Sequence, residues 1–183
     1  MPLLHSQPIH IGDSSFVHCD SLANLVIPKG SIFDPDAFYP FGGCTLFEDR
    51  FGKDSESIIA GLMSRFDDFP LHKRCYDHSS TTAQELLLLL IEDQGAMEAS
   101  SLVDDFGMTP LHVFFSSTID PRQDLLQVLL EKLPCCILDL KDANDKRPLD
   151  YLMANWTEEN KILLQMTLQK WMLDPFDRWG IAS

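Results

Sequence analysis

Pro-Leu followed by a polar residue occurs three times in the C-terminal part of this chain, as Pro70-Leu71-His72, Pro110-Leu111-His112 and Pro148-Leu149-Asp150. The prolines lie 40 and then 38 residues apart, and a second leucine follows each first one at a constant distance: Leu71 to Leu86, Leu111 to Leu126 and Leu149 to Leu164 are all separated by 15. Recurrence at a fixed period marks units that cannot bury an apolar face alone and must cover it with their neighbours. Three similar pieces therefore have to stack. Proline suits the first turn of a helix, where its missing N–H would have no partner anyway.

Each unit reads as a pair of helices. The second helices are expected over residues 82–92, 121–133 and 157–173. Asp120, Pro121 and Gln123 form a candidate capping box for the middle one. Thr157 is placed to cap the last, with Glu158 and Glu159 favourable in its first turn and Asp174-Pro175 marking its end. Ahead of the units, Ile58, Ile59, Leu62, Met63 and Phe66 recur at spacings of three and four, an amphipathic helix over 55–66 capped by Ser55 or Asp54. Leu71, Leu111 and Leu149 are expected in one continuous core, joined by Leu129, Leu130, Leu163 and Met166.

Residues 1–52 have a different character, with glycines, prolines and no helical period. Leu22, Leu25, Val26 and Ile27 read as a short strand halted by Pro28. Asp34-Pro35-Asp36 and Pro40-Phe41-Gly42-Gly43 are turn chemistry. The expected organisation is thus a small β-containing piece over 1–52, then helical units over 53–183 starting near 69, 109 and 147. The fold class is mainly α, a short solenoid of helical hairpins.

Composition narrows the function. Of 183 residues, 45% are hydrophobic and 23% charged, enough to bury a core. The net charge of −14 repels phosphate backbones and anionic membrane surfaces, so neither nucleic acid nor membrane is the expected partner. Residues 1–12 lack the apolar run of a signal peptide, and the longest apolar run, residues 86–91, is far too short to span a bilayer. A cytoplasmic protein is expected. Cys19, Cys44, Cys75, Cys135 and Cys136 are odd in number and lack CxxC spacing, which reads as free, mostly buried thiols.

Candidate chemistry is sparse. His72-x-x-Cys75-x-x-His78 could set ligands on one helical face, but zinc needs about four, and a fourth is not evident. Asp142-Ala143-Asn144 begins like a calcium loop, yet Arg147 stands where its glycine belongs and Met153 where its glutamate belongs. The vicinal Cys135-Cys136 is expected to be buried. Asn155-Trp156-Thr157 is a glycosylation sequon, better explained through Thr157 as a cap. No phosphate-binding, dinucleotide, nucleophile-elbow or zinc-protease motif occurs. No catalytic, cofactor-binding or metal site is expected.

Two segments resemble known repeats. Asp104-Asp105-Phe106-Gly107-Met108-Thr109-Pro110-Leu111-His112 resembles the ankyrin motif D-x-x-G-x-T-P-L-H. There the glycine permits a left-handed turn, the threonine caps the helix and the histidine is a structural hydrogen-bonding residue. The unit at Asp142 keeps the aspartate, Pro148 and Leu149 but lacks the glycine and threonine. Phe69-Pro70-Leu71-His72 keeps only the motif's end. Divergent hairpins with longer turns are therefore expected, their β-turn fingers irregular or missing. Phe16-Val17-His18-Cys19-Asp20-Ser21-Leu22-Ala23-Asn24-Leu25-Val26-Ile27-Pro28 resembles the unit of BspA-like leucine-rich repeats, and Gly43-Cys44-Thr45-Leu46 the start of a second unit. One such unit cannot stand alone and should pack on the helix at 55–66. The order of the two parts is similar to that in a group of leucine-rich repeat proteins of single-celled eukaryotes that carry an ankyrin-like C-terminus. The resemblance implies a non-catalytic protein–protein interaction module without cofactor, binding through exposed turns and the concave face of the inner helices. Candidate contacts are Phe106-Gly107-Met108 and Asp145-Lys146-Arg147, and the acidity suggests a protein partner with a basic surface. The alternatives are a truncated repeat-array remnant with a structural role only, or an unrecognised enzyme or metal-binding protein.

Overall fold

The computed structural model describes residues 10–19, 25–27, 31–34, 36–37, 40–92, 102–117, 122–151 and 157–173. Among these the chain is mainly helical, as the apolar periodicity predicts. Its helices are α1 (Thr45–Phe51), α2 (Ser55–Ser64), α3 (Pro70–Tyr76), α4 (Ala83–Glu92), α5 (Pro110–Ser117), α6 (Gln123–Lys132) and α7 (Glu158–Leu173). Short 3-10 turns occupy Cys135–Asp139 and Pro148–Tyr151. Two two-residue strands, β1 (His10–Ile11) and β2 (Ile32–Phe33), pair in parallel with His10 opposite Ile32.

Helix starts follow local chemistry. The Asp54 carboxylate accepts the Ser57 N–H at 2.8 Å and caps α2. Before α4, Thr82 N–H donates to Glu85 Oε2 at 2.9 Å while Glu85 N–H donates to Thr82 Oγ1 at 3.2 Å, a reciprocal capping box. Thr157 Oγ1 accepts the Asn160 N–H at 3.3 Å at the start of α7, as expected. The box expected around Asp120, Pro121 and Gln123 does not open α6. The helix starts at Gln123 after an extended Arg122, and residues 118–121 lie outside the described residues. The Arg122 guanidinium donates to the Thr81 carbonyl at 2.9 Å and to Asp124. The third unit opens on a 3-10 turn at Pro148–Tyr151, and residues 152–156 lie outside the described residues.

Two rows result. In one, α3 lies against α5 and α5 against the Pro148–Tyr151 turn; in the other, α4 lies against α6 and α6 against α7. A shared cluster holding Leu71, Leu86, Leu90, Leu111, Phe114, Leu126, Leu129, Leu130 and Leu164 joins the rows. The leucines at the 15-residue spacing are buried, except Leu149, which is half-buried. Met166 is corrected: it is 62% exposed. On α7 it is Asn160 and Leu164, four apart, that turn inward, which leaves Leu163 half-buried and Met166 outside.

The N-terminal piece departs most from expectation. Leu25 and Ile27 point into a core, but residues 25–27 are not a strand. Their carbonyls are taken by side chains, Leu25 O by Arg65 Nη1 at 2.9 Å and Ile27 O by the Tyr76 hydroxyl. Gly43-Cys44-Thr45-Leu46 does not begin a second leucine-rich unit. Gly43 takes a left-handed φ of 77°, its N–H donates to Glu48 Oε1 at 2.8 Å, and α1 begins at Thr45. As expected, the piece packs on α2: Ile11, Leu25, Ile27, Phe41, Cys44 and Phe47 form one cluster with Ile58 and Leu62.

Candidate interaction surfaces

Two turns of the chain are built alike, 38 residues apart. In the first, Asp104 Oδ1 accepts the N–H groups of Phe106 and Met108, both at 2.9 Å, and Asp104 N–H donates to Met108 O at 2.8 Å. In the second, Asp142 Oδ1 accepts from Asn144 and Lys146, both at 2.9 Å, and Asp142 N–H donates to Lys146 O at 2.9 Å. The left-handed position is Gly107 at φ 72° in one and Asp145 at φ 59° in the other. The second turn is therefore regular, against expectation, because aspartate tolerates this conformation better than most residues. The turns join edge to edge, with Ala143 N–H donating to Phe106 O at 2.9 Å.

Histidines on α3 and α5 each reach a turn that lies further along the chain. His72 Nε2 lies 2.8 Å from Met108 O, and His112 Nε2 lies 2.9 Å from Lys146 O. Thr109 N–H donates to His112 Nδ1 at 2.9 Å, so that nitrogen is an acceptor and Nε2 carries the proton. Burial pushes both imidazoles below their ordinary range, opposed by the carbonyls they meet. In the third unit Asp150 stands at the histidine position, and its carboxylate accepts the Arg147 N–H at 2.8 Å, as His112 Nδ1 does for Thr109.

The two turn tips differ in exposure. Asp145, Lys146 and Arg147 are exposed as expected. Phe106 and Met108 are buried, which removes the first tip from the candidate contacts. Phe106 belongs to the N-terminal cluster, edge-on to Phe47 at 6.3 Å between ring centroids. Two ion pairs clasp the same turn, a partly exposed one between Arg50 and Asp105 and a buried one between Arg65 and Asp104. The Arg65 guanidinium also lies 4.4 Å from the Phe106 ring centroid, a cation–π contact. Arg65 was missed in sequence, although the phase of Ile58 and Leu62 puts it on the apolar face of its helix. Along α5, every residue except half-buried Ser116 is buried, so this helix presents little side-chain surface.

The remaining candidates separate. His72 is held by Met108 O, and burial pushes the Cys75 thiol far up; His78 lies edge-on to Phe114, 6.2 Å between centroids. Asp142, first residue of the supposed calcium loop, spends one oxygen on its own turn and the other on the Tyr151 hydroxyl. Cys136 is exposed, contrary to expectation. Met153, Asn155 and Trp156 lie outside the described residues. No helix among the described residues is long and apolar enough to cross a membrane. Compared with known proteins, the chain matches no family model, no curated sequence and no solved structure.

Proposed function

We propose that this chain is a non-catalytic protein-interaction module of the ankyrin type, a short stack of helical hairpins with a β-containing piece seated on its first turn. One observation carries the reading: the aspartate-held turn and its histidine link recur in the same geometry, at Asp104, Met108 and His72 and again at Asp142, Lys146 and His112. A unit laid down repeatedly in one register makes a surface whose elements scale with the array, which is how such stacks present binding faces. The buried polar groups Arg65, His72, Asp104, His112 and Asp142 all hold one part of the chain to another. What is offered outward includes the second tip, Asp145-Lys146-Arg147, and the exposed apolar side chains Leu88 and Ile91 on α4 and Ile162 and Met166 on α7.

The partner in this reading is a protein with a basic surface, attracted by a net charge of −14, and the setting is the cytoplasm. Weighing against a mere array remnant is the N-terminal side, where the first turn is covered by the chain itself through Phe106, Arg50 and Arg65.

A photo-crosslinking residue at Lys146, with one at exposed Glu56 as control, tests the reading in the cells that make the protein. Discrete heteromeric adducts from position 146, absent from position 56, are expected. Adducts from neither position would overturn it.

A further inference from the structure

Phenylalanine and cysteine recur together in the N-terminal piece, as Phe16-Val17-His18-Cys19 and again, 25 residues on, as Phe41-Gly42-Gly43-Cys44. The fold lays the two stretches side by side in that register. Phe16 N–H donates to Pro40 O at 2.7 Å and His18 N–H to Gly42 O at 2.8 Å. In a parallel pair an N–H meets the carbonyl just before its partner residue, so Phe41 stands beside Phe16 and Gly43 beside His18. Side chains agree with this. The rings of Phe16 and Phe41 stack, 5.2 Å between centroids and 3° between planes. A Cβ on Gly43 would lie 3.6 Å from the His18 Cα. Cys19 and Cys44 are the next pair in the register. Main chains paired in this way lie ~5 Å apart, inside the Cα separation that a disulfide bridges.

The two cysteines also meet at one place. Cys44 Sγ donates to Phe16 O at 2.9 Å, and the Cys19 N–H donates to the same oxygen at 3.3 Å. Cys19 Sγ reaches the following carbonyl, Val17 O, at 3.9 Å. Both side chains belong to the cluster that holds Phe106. Cys44 is buried and Cys19 half-buried, so a small reagent meets Cys19 first.

We propose that Cys19 and Cys44 are a redox pair, which a peroxide closes into a disulfide clasp on the N-terminal piece and a small thiol such as glutathione reopens. The Cys19 sulfur, as thiolate, attacks one oxygen of hydrogen peroxide. The O–O bond breaks, the leaving hydroxide takes up the Cys19 proton as water, and Cys19 is left as a sulfenic acid. The Cys44 sulfur then attacks the Cys19 sulfur, and its proton leaves with the displaced hydroxyl as a second water. Two thiols and one peroxide give one disulfide and two waters. Phe16 O loses the Cys44 S–H but keeps the Cys19 N–H. In a reducing compartment such a bond is transient, which suits a sensor. Cys75 stands apart: it lies in the other cluster, and burial pushes its thiol far up.

The test uses the full reduced chain carrying Cys136→Ser, which removes an exposed thiol. It is treated with hydrogen peroxide, alkylated in urea and digested without reductant. Mass spectrometry should find one pair of peptides joined through Cys19 and Cys44 and released by dithiothreitol, with Cys75 alkylated as a thiol. The oxidised chain should melt about 5 °C or more above the reduced one, because the link closes a long loop of the unfolded chain. With Cys44→Ser added, dimedone should trap Cys19 as the sulfenic acid. Peroxide added in urea should scatter the pairing over the other cysteines. Recovery of Cys19 as a sulfinic acid or an unchanged thiol when Cys44 is present overturns the proposal. So does the same spread of pairs with and without urea, or a link that leaves the melting temperature unchanged or lower.

Discussion

The Nε2 of His112 stands 2.9 Å from the carbonyl oxygen of Lys146, and Nδ1 of the same ring accepts the Thr109 N–H. One buried imidazole thus closes its own helix start and holds the next turn. Replacing it with alanine strands the buried Thr109 N–H and leaves the Lys146 carbonyl with the Asp142 N–H alone as donor. His112→Ala is expected to lower stability by ~2–4 kcal/mol, read from the urea midpoint at unchanged slope. A change below about 0.5 kcal/mol would contradict the role assigned to the ring.

Protonation acts on the same bonds. Burial holds His72 and His112 below the ordinary value of 6.5, so both are neutral in the folded chain. Below pH 6.5 the unfolded state binds protons that the folded state refuses, so their contribution to stability falls as the pH drops through that value and is level above it. Asp104, Asp142 and Asp150 near His112 pull the other way without cancelling burial, as do Asp104 and Met108 O at His72, where Arg65 adds to the lowering. Urea midpoints should be lower at pH 5 than at pH 7.5, and His72→Gln/His112→Gln should flatten that difference. An undiminished slope in the double variant would assign the effect to other groups.

Arg65 and Asp104 form an ion pair in which both side chains are almost fully buried. Arg65→Met leaves the Asp104 carboxylate inside without its cation and frees the Leu25 carbonyl. A loss of ~3–5 kcal/mol is expected. Arg65→Met combined with Asp104→Asn should recover part of it, because the amide oxygen can still accept the Phe106 and Met108 N–H groups. Chemical denaturation of the two singles and the double gives the coupling.

At Gly61, α1 and α2 meet with no room for a side chain. A Cβ there would stand 2.1 Å from Phe51 Cδ1 and 2.6 Å from its Cγ. Gly61→Ala should cost ~1–3 kcal/mol in spite of alanine's better helix propensity, and Phe51→Leu should restore part of it. A stabilised Gly61→Ala chain would mean that the helices do not approach as closely as described.

Asp145 holds a left-handed φ of 59° at the second tip. Asp145→Gly should leave the melting temperature unchanged or raised, and Asp145→Val should lower it, since a β-branched side chain resists that conformation. The reverse order would show a different turn.

Much of the helical part was legible because its signals are local. The spacing of Leu71 to Leu86 fixes which faces turn inward, and Asp54 and Thr157 cap the helices whose starts they mark. The motif from Asp104 to His112 announced a turn and a helix together. Where sequence reading failed, a distant group had decided the outcome. Arg65 and Tyr76 take the Leu25 and Ile27 carbonyls that a strand through residues 25–27 would need. Phe106 looked like an exposed tip because nothing nearby in sequence covers it; its cover comes from Phe47 and its neighbours, some sixty residues earlier. Asp145 could have been read as a glycine substitute from residue type alone, given the aspartate three positions before it. The exposed Leu88 and Ile91 of α4 lie within the apolar run of residues 86–91, but they could be identified as outward only once Leu86 and Leu90 were seen to face the core.

The coupling of hairpins through histidine is tested most directly by long-range 15N–1H correlation of the imidazole rings at pH 7. His72 and His112 should both appear as neutral rings protonated at Nε2, with slowly exchanging Nε2 protons and, for His112, an acceptor-type Nδ1 shift. A ring protonated at Nδ1, or Nε2 protons exchanging at solvent rate in either residue, would contradict the links from His72 to Met108 O and from His112 to Lys146 O.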